Sequence, residues 1–438
     1  MEKVAFHNLG CKVNAYEMEL MLQNFRKNGY EIVPFSEKAD VYIINTCTVT
    51  NIADRKSRQM LHRAKSMNPE AVVVAAGCYV ETDKEGAAKD ESIDLIISNK
   101  DKPDILKLVR DYLDEKNNVT SPECSIDYTM ETFSEHTRAY IKIQDGCEQF
   151  CSYCIIPYSR GRVVSRSEED ILQEITRLSE SGYKEFVLTG IHLSSYGLDR
   201  AYNQAAMDGE YTNHELIDII EKVAAIEGVK RVRLGSLEPR IITEEFLERM
   251  AALKEFCPHF HLSLQSGSDS VLKRMNRRYD ANEYYDKTVL IRKYFEHPAL
   301  TTDVIVGFPG ETEEEFEETR EYLNRVNFYE VHVFKYSRRH GTVADKLPGQ
   351  LTEKQKAARS KVLIEDSNKR KSEFAEYYIG KTTDILIEEP LNIDGVSYQV
   401  GYNREYVRFA LVSDKDLTDE FYEGKGTRVL NEEFVVIE

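Results

Sequence analysis

"AYIKIQDGCEQFCSYCIIPYSRGR" spans residues 139–162. Its first six residues, 139–144, form an apolar, β-rich run, and Cys147, Cys151 and Cys154 follow. A strand that delivers three thiols into a loop at its carboxyl end is the layout of a parallel α/β site, where ligands gather beyond the strand ends. A structural zinc site takes four protein ligands, as do most iron–sulfur clusters. This loop offers three. It reads either as a cubane cluster with one iron left to a small molecule, or as a zinc site completed by a distant residue.

Further strands are expected at 185–190, 229–236, 259–264, 300–307 and 329–337, with helical segments between them. Six such β/α units predict a complete or partial parallel barrel, with its chemistry at the carboxyl ends of the strands. Upstream, "KVAFHNLG", "DVYIINTC", "AVVVAAGC" and "LIIS" are continuous apolar runs separated by helical stretches. They predict a doubly wound parallel sheet buried on both faces. In the first helix Met18, Met21, Leu22 and Phe25 form the apolar stripe, Asn14 is the expected N-cap with Glu17 as its capping-box acid, and Gly29 is the expected stop. Thr352 and Gln355 predict a capping box opening a helix to about Tyr378. Beyond it, short β runs separated by turn signals predict a small all-β barrel. The acidic run 310–319 is expected on a solvated helix face.

The cysteine pattern occurs a second time in a different form. Cys11, Cys47 and Cys78 each end a predicted strand, in "NLGC", "INTC" and "AAGC". Parallel strands end along one edge of a sheet, so residues far apart in sequence can converge there. Gly10 and Gly77 would allow close backbone approach. The remaining cysteines, Cys124 and Cys257, read as structural.

The chain of 438 residues carries a net charge of −18, which argues against indiscriminate nucleic-acid binding but leaves room for local basic grooves. No secretory signal and no apolar run of membrane-spanning length is apparent, so a cytoplasmic protein without a membrane segment is expected. Clustered thiols in that compartment read as metal or redox sites. Arg160, Arg162, Arg166, Arg277, Arg278, Arg338 and Arg339 are candidate phosphate contacts. The last segment is acidic, with 6 basic against 13 acidic residues from Lys381 onward. It either uses a small basic face of Tyr402, Arg404 and Arg408 or serves mainly as structure.

The C-x-x-x-C-x-x-C spacing after the first barrel strand resembles the radical S-adenosylmethionine enzymes. With the second triad, the chain resembles the methylthiotransferases of that superfamily over nearly its whole length. The resemblance implies two [4Fe–4S] clusters, one on Cys147, Cys151 and Cys154 and an auxiliary one on Cys11, Cys47 and Cys78. It implies S-adenosylmethionine as co-substrate and radical source, with no catalytic residues beyond the cluster ligands. Tyr153 matches the position beside the adenine, and Thr189–Gly190 that of the methionine amino group. Ser236 and Glu238 match the motif near the ribose, and Gln265 and Asp303 fall at predicted strand ends. The implied domains are an N-terminal methylthiotransferase domain (1–115), a linker (116–137), a radical core (138–372) and a TRAM domain (373–438).

The implied reaction methylates a cluster-bound sulfur and then transfers the methylthio group to a carbon from which a 5′-deoxyadenosyl radical has taken hydrogen. "HNLGCKVNAYEME" and "INTCTVTN" resemble the branch acting on threonylcarbamoyladenosine 37 of tRNA. The other branches act on isopentenyladenosine 37 or on a ribosomal protein. The implied partners are the tRNA anticodon stem-loop and an electron donor such as flavodoxin or ferredoxin, with the enzyme a monomer. An RNA-binding module with structural clusters and an iron–sulfur carrier are the rival classes. A three-ligand site disfavours both, because structural metal sites are closed.

Overall fold

In the computed structural model, which describes residues 2–133, 137–199 and 213–438, the chain divides into two compact units. The first comprises Met1–Ser134, Asp145–Val164 and Ser337–Asp345. The second comprises Glu135–Gln144, Ser165–Tyr336 and Lys346–Glu438.

The first unit is built on a five-stranded sheet of β1 (Lys3–Asn8), β2 (Glu31–Val33), β3 (Val41–Thr46), β4 (Val72–Gly77) and β5 (Leu95–Ile97) in the order β2-β1-β3-β4-β5. Every pairing is parallel. Side chains alternate across a strand, and both faces are buried here. Val41, Ile43, Val72 and Val74 pack with Met18, Met21 and Phe25 of the helix Lys12–Lys27, whereas Tyr42, Ile44, Val73 and Ala75 pack with Leu61 and Ala64 of the helix Asn51–Met67. This is the doubly wound arrangement expected from the continuous apolar runs. The three-residue β2 was not foreseen.

Asn14 does not cap the first helix. Cys11 occupies the N-cap position without a side-chain bond, and Asn14 lies inside the helix, donating from Nδ2 to Leu9 O (2.6 Å) and Thr46 O (3.1 Å). Glu17 likewise serves a buried ion pair with Lys102 at 2.6 Å. Residues 118–133 have no regular secondary structure. They are fastened to the first helix by Gln23 to Thr129 O (3.0 Å), Asn24 to Asp127 O (2.8 Å) and Asn28 to Ser125 O (2.8 Å). The last part of the expected linker, 134–136, lies outside the described residues.

The second unit contains the predicted barrel strands. A sheet ordered β7-β6-β8-β9 uses β6 (Arg138–Asp145), the two-residue β7 (Val164–Ser165), β8 (Glu185–Gly190) and β9 (Arg231–Leu234). A second, ordered β10-β11-β12, uses β10 (His259–His261), β11 (Ala299–Val306) and β12 (Glu330–Lys335). Parallel bridges Val232–Phe256 and Leu237–Leu262 join the two. The result is an incomplete parallel barrel. The helix Glu353–Glu376 opens with the expected Thr352–Gln355 capping box.

That helix leads into a closed barrel of β13 (Thr382–Ile393), β14 (Val396–Tyr402), β15 (Arg408–Val412), β16 (Phe421–Leu430) and β17 (Phe434–Ile437), ordered β13-β14-β15-β17-β16. Its pairings are antiparallel except β15 with β17.

Buried charge joins the two barrels of this unit. Glu185 receives Arg233 Nε at 2.9 Å and Arg231 Nη1 at 3.3 Å. Arg231 also pairs with Asp384 at 2.9 Å, and Arg138 pairs with Glu388 at 2.7 Å. Arg233 donates to Arg404 O (2.9 Å) and Arg404 to Phe256 O (2.7 Å), while Tyr402 stacks on Tyr406 with centroids 4.5 Å apart. Burial alone would raise the Glu185 carboxyl, but Arg233, Arg231 and Arg138 outweigh it and hold it at about 2. Tyr402 and Arg404 therefore bind the core, which favours the structural alternative over the basic face, and Arg408 is paired with Glu389 and Glu433.

The acidic run is only partly a solvated face. Thr312 and Glu315 cap the helix Glu313–Val326, Glu315 also pairs with Arg274 at 2.7 Å, and the buried Glu311 carboxylate meets Arg359.

Candidate functional site

In the first unit, strand register brings the three distant cysteines together. Asn8 is level with Asn45, and Thr46 with Gly77, so Cys11, Cys47 and Cys78 all follow the same carboxyl edge. Two glycines make the approach possible. A Cβ on Gly10 (φ +112°) would stand 3.0 Å from Cys47 Sγ, and one on Gly77 (φ +102°) would stand 2.5 Å from Thr46 O. Both positions need the left-handed freedom of glycine as well as its small size.

Cys47 and Cys78 are buried and Cys11 is exposed. Desolvation raises the Cys11 and Cys47 thiols, and the nearness of Cys78 raises both further. Arg160 opposes the rise at Cys11. Cys47 N donates to Ser57 Oγ at 3.3 Å, and Asn99 Nδ2 lies 3.8 Å from Cys78 Sγ.

The loop of Cys147, Cys151 and Cys154 is half-buried in the same unit. Cys147 N donates to Gly161 O at 3.1 Å and Cys154 N to Cys151 O at 2.9 Å. Ala344 N reaches Ser152 O at 2.7 Å from the segment Ser337–Asp345. Tyr153 is half-buried on this loop. Six thiols in two groups of three make a soft donor set suited to iron–sulfur clusters. Among the described residues no group is tight enough to hold a single metal ion. A cubane does not ask for that closeness, because each thiolate binds its own iron. The close approach of Gly10 to Cys47 Sγ fits such a group.

In the second unit, Thr189 and Gly190 end β8, and Ser236 and Glu238 follow β9. Ser236 is exposed, whereas Glu238 is buried. Glu238 Oε1 accepts from Arg240 at 2.7 Å, and its buried Oε2 has no hydrogen-bond partner among the described residues. An unpartnered buried carboxylate oxygen suits a ligand hydroxyl. Gln265 is nearly buried with φ +76°, and its N–H donates to Asp303 O at 2.8 Å. Asp303 is not at a strand end. It sits inside β11, three residues before Val306, and lies 3.3 Å from His261 Nε2.

Two site features escaped the sequence reading. Gln144 Oε1 accepts from His192 N at 2.8 Å, and His192 Nδ1 lies 2.6 Å from Ser195 Oγ. Burial, with Arg277, Arg240 and Arg278 nearby, pushes the His192 imidazole down to about 3. A depressed histidine stabilises the fold fully above its ordinary pKa of 6.5 and progressively less as pH falls towards about 3. Acidification from pH 6.5 to pH 5 is therefore expected to cost about 2 kcal/mol through this group. The urea midpoint should fall over that range, and His192→Asn should flatten the fall.

The candidate phosphate contacts separate by direction. Arg162 and Arg338 are exposed, with side chains 91% and 60% accessible, and Arg278 is exposed as well. Arg277 is half-buried and donates to Ser263 O at 3.1 Å. Arg166 pairs with Glu174 and donates to Lys142 O at 2.9 Å. Arg160 and Arg339 point inward and are not surface contacts. Arg160 has no side-chain exposure. Arg339 bonds Thr48 Oγ1 (2.6 Å), Asn51 Oδ1 (2.7 Å) and Asp54 Oδ2 (2.7 Å), beside the helix that follows Cys47. Cys257 is fully buried and Cys124 packs against the first core, the structural roles expected of both.

Residues 141–323 match the Radical SAM superfamily, and residues 3–98 match a family described as uncharacterized protein family UPF0004. The threonylcarbamoyladenosine tRNA methylthiotransferase MtaB of Bacillus subtilis (strain 168) is 39% identical over 425 residues, covering 95% of this chain and 92% of the relative. The tRNA-2-methylthio-N(6)-dimethylallyladenosine synthase of Desulfotalea psychrophila is 35% identical over 87% of each chain. Among solved structures, the radical S-adenosylmethionine methyltransferase TsrM from Kitasatospora setae, with cobalamin and a [4Fe–4S] cluster bound, shares the fold at a TM-score of 0.56 and 14% identity, over 77% of this chain and 76% of that one. Among the described residues no helix is long and apolar enough to cross a membrane.

Proposed function

Because the chain belongs to the radical S-adenosylmethionine tRNA methylthiotransferases, transferases that use S-adenosylmethionine and [4Fe–4S] clusters, we propose that it adds a methylthio group to carbon 2 of threonylcarbamoyladenosine 37 in tRNA. The observation that carries this reading is the pair of three-thiol sites held in one compact unit. A single such site suffices to cleave S-adenosylmethionine. The second provides what a plain radical enzyme lacks, a place to hold sulfur. The substrate assignment is supported by the strings around Cys11 and Cys47 and by the threonylcarbamoyladenosine relative at 39% identity.

In this reading Cys147, Cys151 and Cys154 hold one cluster and Cys11, Cys47 and Cys78 the other. When bound, the clusters supply an electron to cleave the sulfonium of S-adenosylmethionine and a site for the sulfur that is methylated and transferred. The chain's own residues do the rest. Gly10 and Gly77 let the loops close around the auxiliary site. In the second unit, Glu238 Oε2 accepts from a ribose hydroxyl, Thr189 and Gly190 receive the amino group of S-adenosylmethionine, and neutral His192 is fixed by Ser195 near three arginines without adding charge. Exposed Arg162, Arg278 and Arg338 are available to the RNA backbone. Residues 1–115 then form the transfer domain, 138–372 the radical core and 373–438 a TRAM domain whose contact residues Tyr402 and Arg404 are engaged with the core.

The test is nucleoside mass spectrometry of tRNA from a host lacking its own enzyme, with this chain supplied. Appearance of 2-methylthio-threonylcarbamoyladenosine is expected. A methylthio product only on the isopentenyl nucleoside, or none on tRNA, would overturn the substrate assignment.

A further inference from the structure

We propose that Arg160 is a positioning residue that ties the two cysteine triads into one rigid element and supplies a buried positive charge beside the auxiliary one. This rests on the reading that both triads hold clusters.

Arg160 ends the helix Ile156–Arg160, six residues after Cys154, and its side chain has no solvent exposure. Its guanidinium forks to three acceptors: Glu17 Oε1 at 2.8 Å, Asp145 Oδ2 at 3.0 Å and Asn14 Oδ1 at 2.5 Å. Two of the acceptors, Asp145 and Asn14, lead to cysteines. Asp145 stands two residues before Cys147, so the Arg160–Asp145 pair closes the base of the radical loop. Asn14 sends its amide to Leu9 O and Thr46 O, the carbonyls just ahead of Gly10–Cys11 and of Cys47. The third cysteine is reached from the neighbouring residue. Asn99 Nδ2 bonds Ser159 O at 2.9 Å and lies 3.8 Å from Cys78 Sγ.

The charges show why a cation belongs here. Glu17 and Asp145 are two acids, and Lys102, bonded to Glu17 at 2.6 Å, offsets only one of them. Without Arg160, a buried negative charge would remain uncompensated next to three thiolates. That arrangement disfavours retention of a cluster and lowers its reduction potential, since potential follows local charge and hydrogen bonds to sulfur. Lysine retains the charge but presents its three donors from a single nitrogen and cannot reproduce the planar fork that spans Nη1 and Nη2.

The test uses full-length chain carrying Ala at Cys147, Cys151 and Cys154, so that only the auxiliary site can hold iron. Arg160, Arg160→Lys and Arg160→Gln forms are reconstituted anaerobically, then compared by iron release to a chelator and by electron paramagnetic resonance during a redox titration. Arg160→Gln is expected to lose iron about tenfold faster and to shift the midpoint potential negative. Arg160→Lys should keep the potential near that of the parent yet still release iron faster. Equal release and equal potential in Arg160→Gln and the parent would overturn the proposal. A parent that takes up no iron would instead sink the ligand reading beneath it. If Arg160→Gln fails to fold, Asn99→Ala decides. A negative shift of the potential supports the link between helix and cluster, and an unchanged potential overturns it.

Discussion

Cys11→Ala abolishes methylthio transfer while S-adenosylmethionine cleavage continues. Cys11 is exposed three residues beyond β1 and occupies the N-cap of its helix with no side-chain hydrogen bond. Truncation there removes no side-chain hydrogen bond, so the fold is expected to persist, as circular dichroism of the variant would show. It removes one of three thiols from the auxiliary site and leaves the other loop intact, because that loop is pinned by its own bonds, Cys147 N to Gly161 O at 3.1 Å and Cys154 N to Cys151 O at 2.9 Å. The readout is the ratio of 5′-deoxyadenosine to methylthio nucleoside. The ratio should rise without limit as product falls below detection. Parallel loss of both would show that the two triads do not divide the work.

Glu185→Ala is expected to be the most damaging single change to stability. The carboxylate is fully buried between Arg231 and Arg233, themselves almost inaccessible. Removing the acid leaves Arg233 buried without its counter-charge and Arg231 with Asp384 alone, and breaking such a pair costs about 3–5 kcal/mol. That is a large part of the roughly 5–15 kcal/mol that holds a domain folded. The damage should extend to the C-terminal barrel, because Arg231 also holds Asp384 (2.9 Å) and Arg233 also holds Arg404 O (2.9 Å). Thermal unfolding should show a large fall in midpoint with the two barrels of the second unit melting together. Glu185→Gln, which retains the shape and two acceptor or donor positions, should lose less. A Glu185→Ala protein that melts like the parent would mean that the network contributes little.

The strands were legible because parallel strands buried on both faces are written as unbroken apolar runs, as in β3 and β4. The cysteine sites were legible because Cys11, Cys47 and Cys78 each follow such a run and Cys147, Cys151 and Cys154 are closely spaced after another. Single side chains were less so, since their partners lie far along the chain. Asn14 and Glu17 have the spacing of a capping box, and only the fold reveals that Arg160, 146 and 143 residues away, is what they hold. Charge in a sequence also carries no direction. Arg160 and Arg339 look like Arg162 and Arg338, yet the first two turn inward to carboxylates. Tyr402 and Arg404 resemble an RNA-binding face, but they meet the core because Arg231 and Arg233 point towards them. Asp303 lies in the interior of β11 (Ala299–Val306), inside the strand expected at 300–307, so its strand-end placement conflicts with that run itself.

Anaerobic reconstitution followed by iron analysis of the unmutated chain tests the two-site account most directly. Two cubane clusters on the two triads predict about eight irons per chain, and Ala at Cys11, Cys47 and Cys78 together should reduce this to about four. A value near four in the unmutated chain, unchanged by that triple substitution, would contradict it.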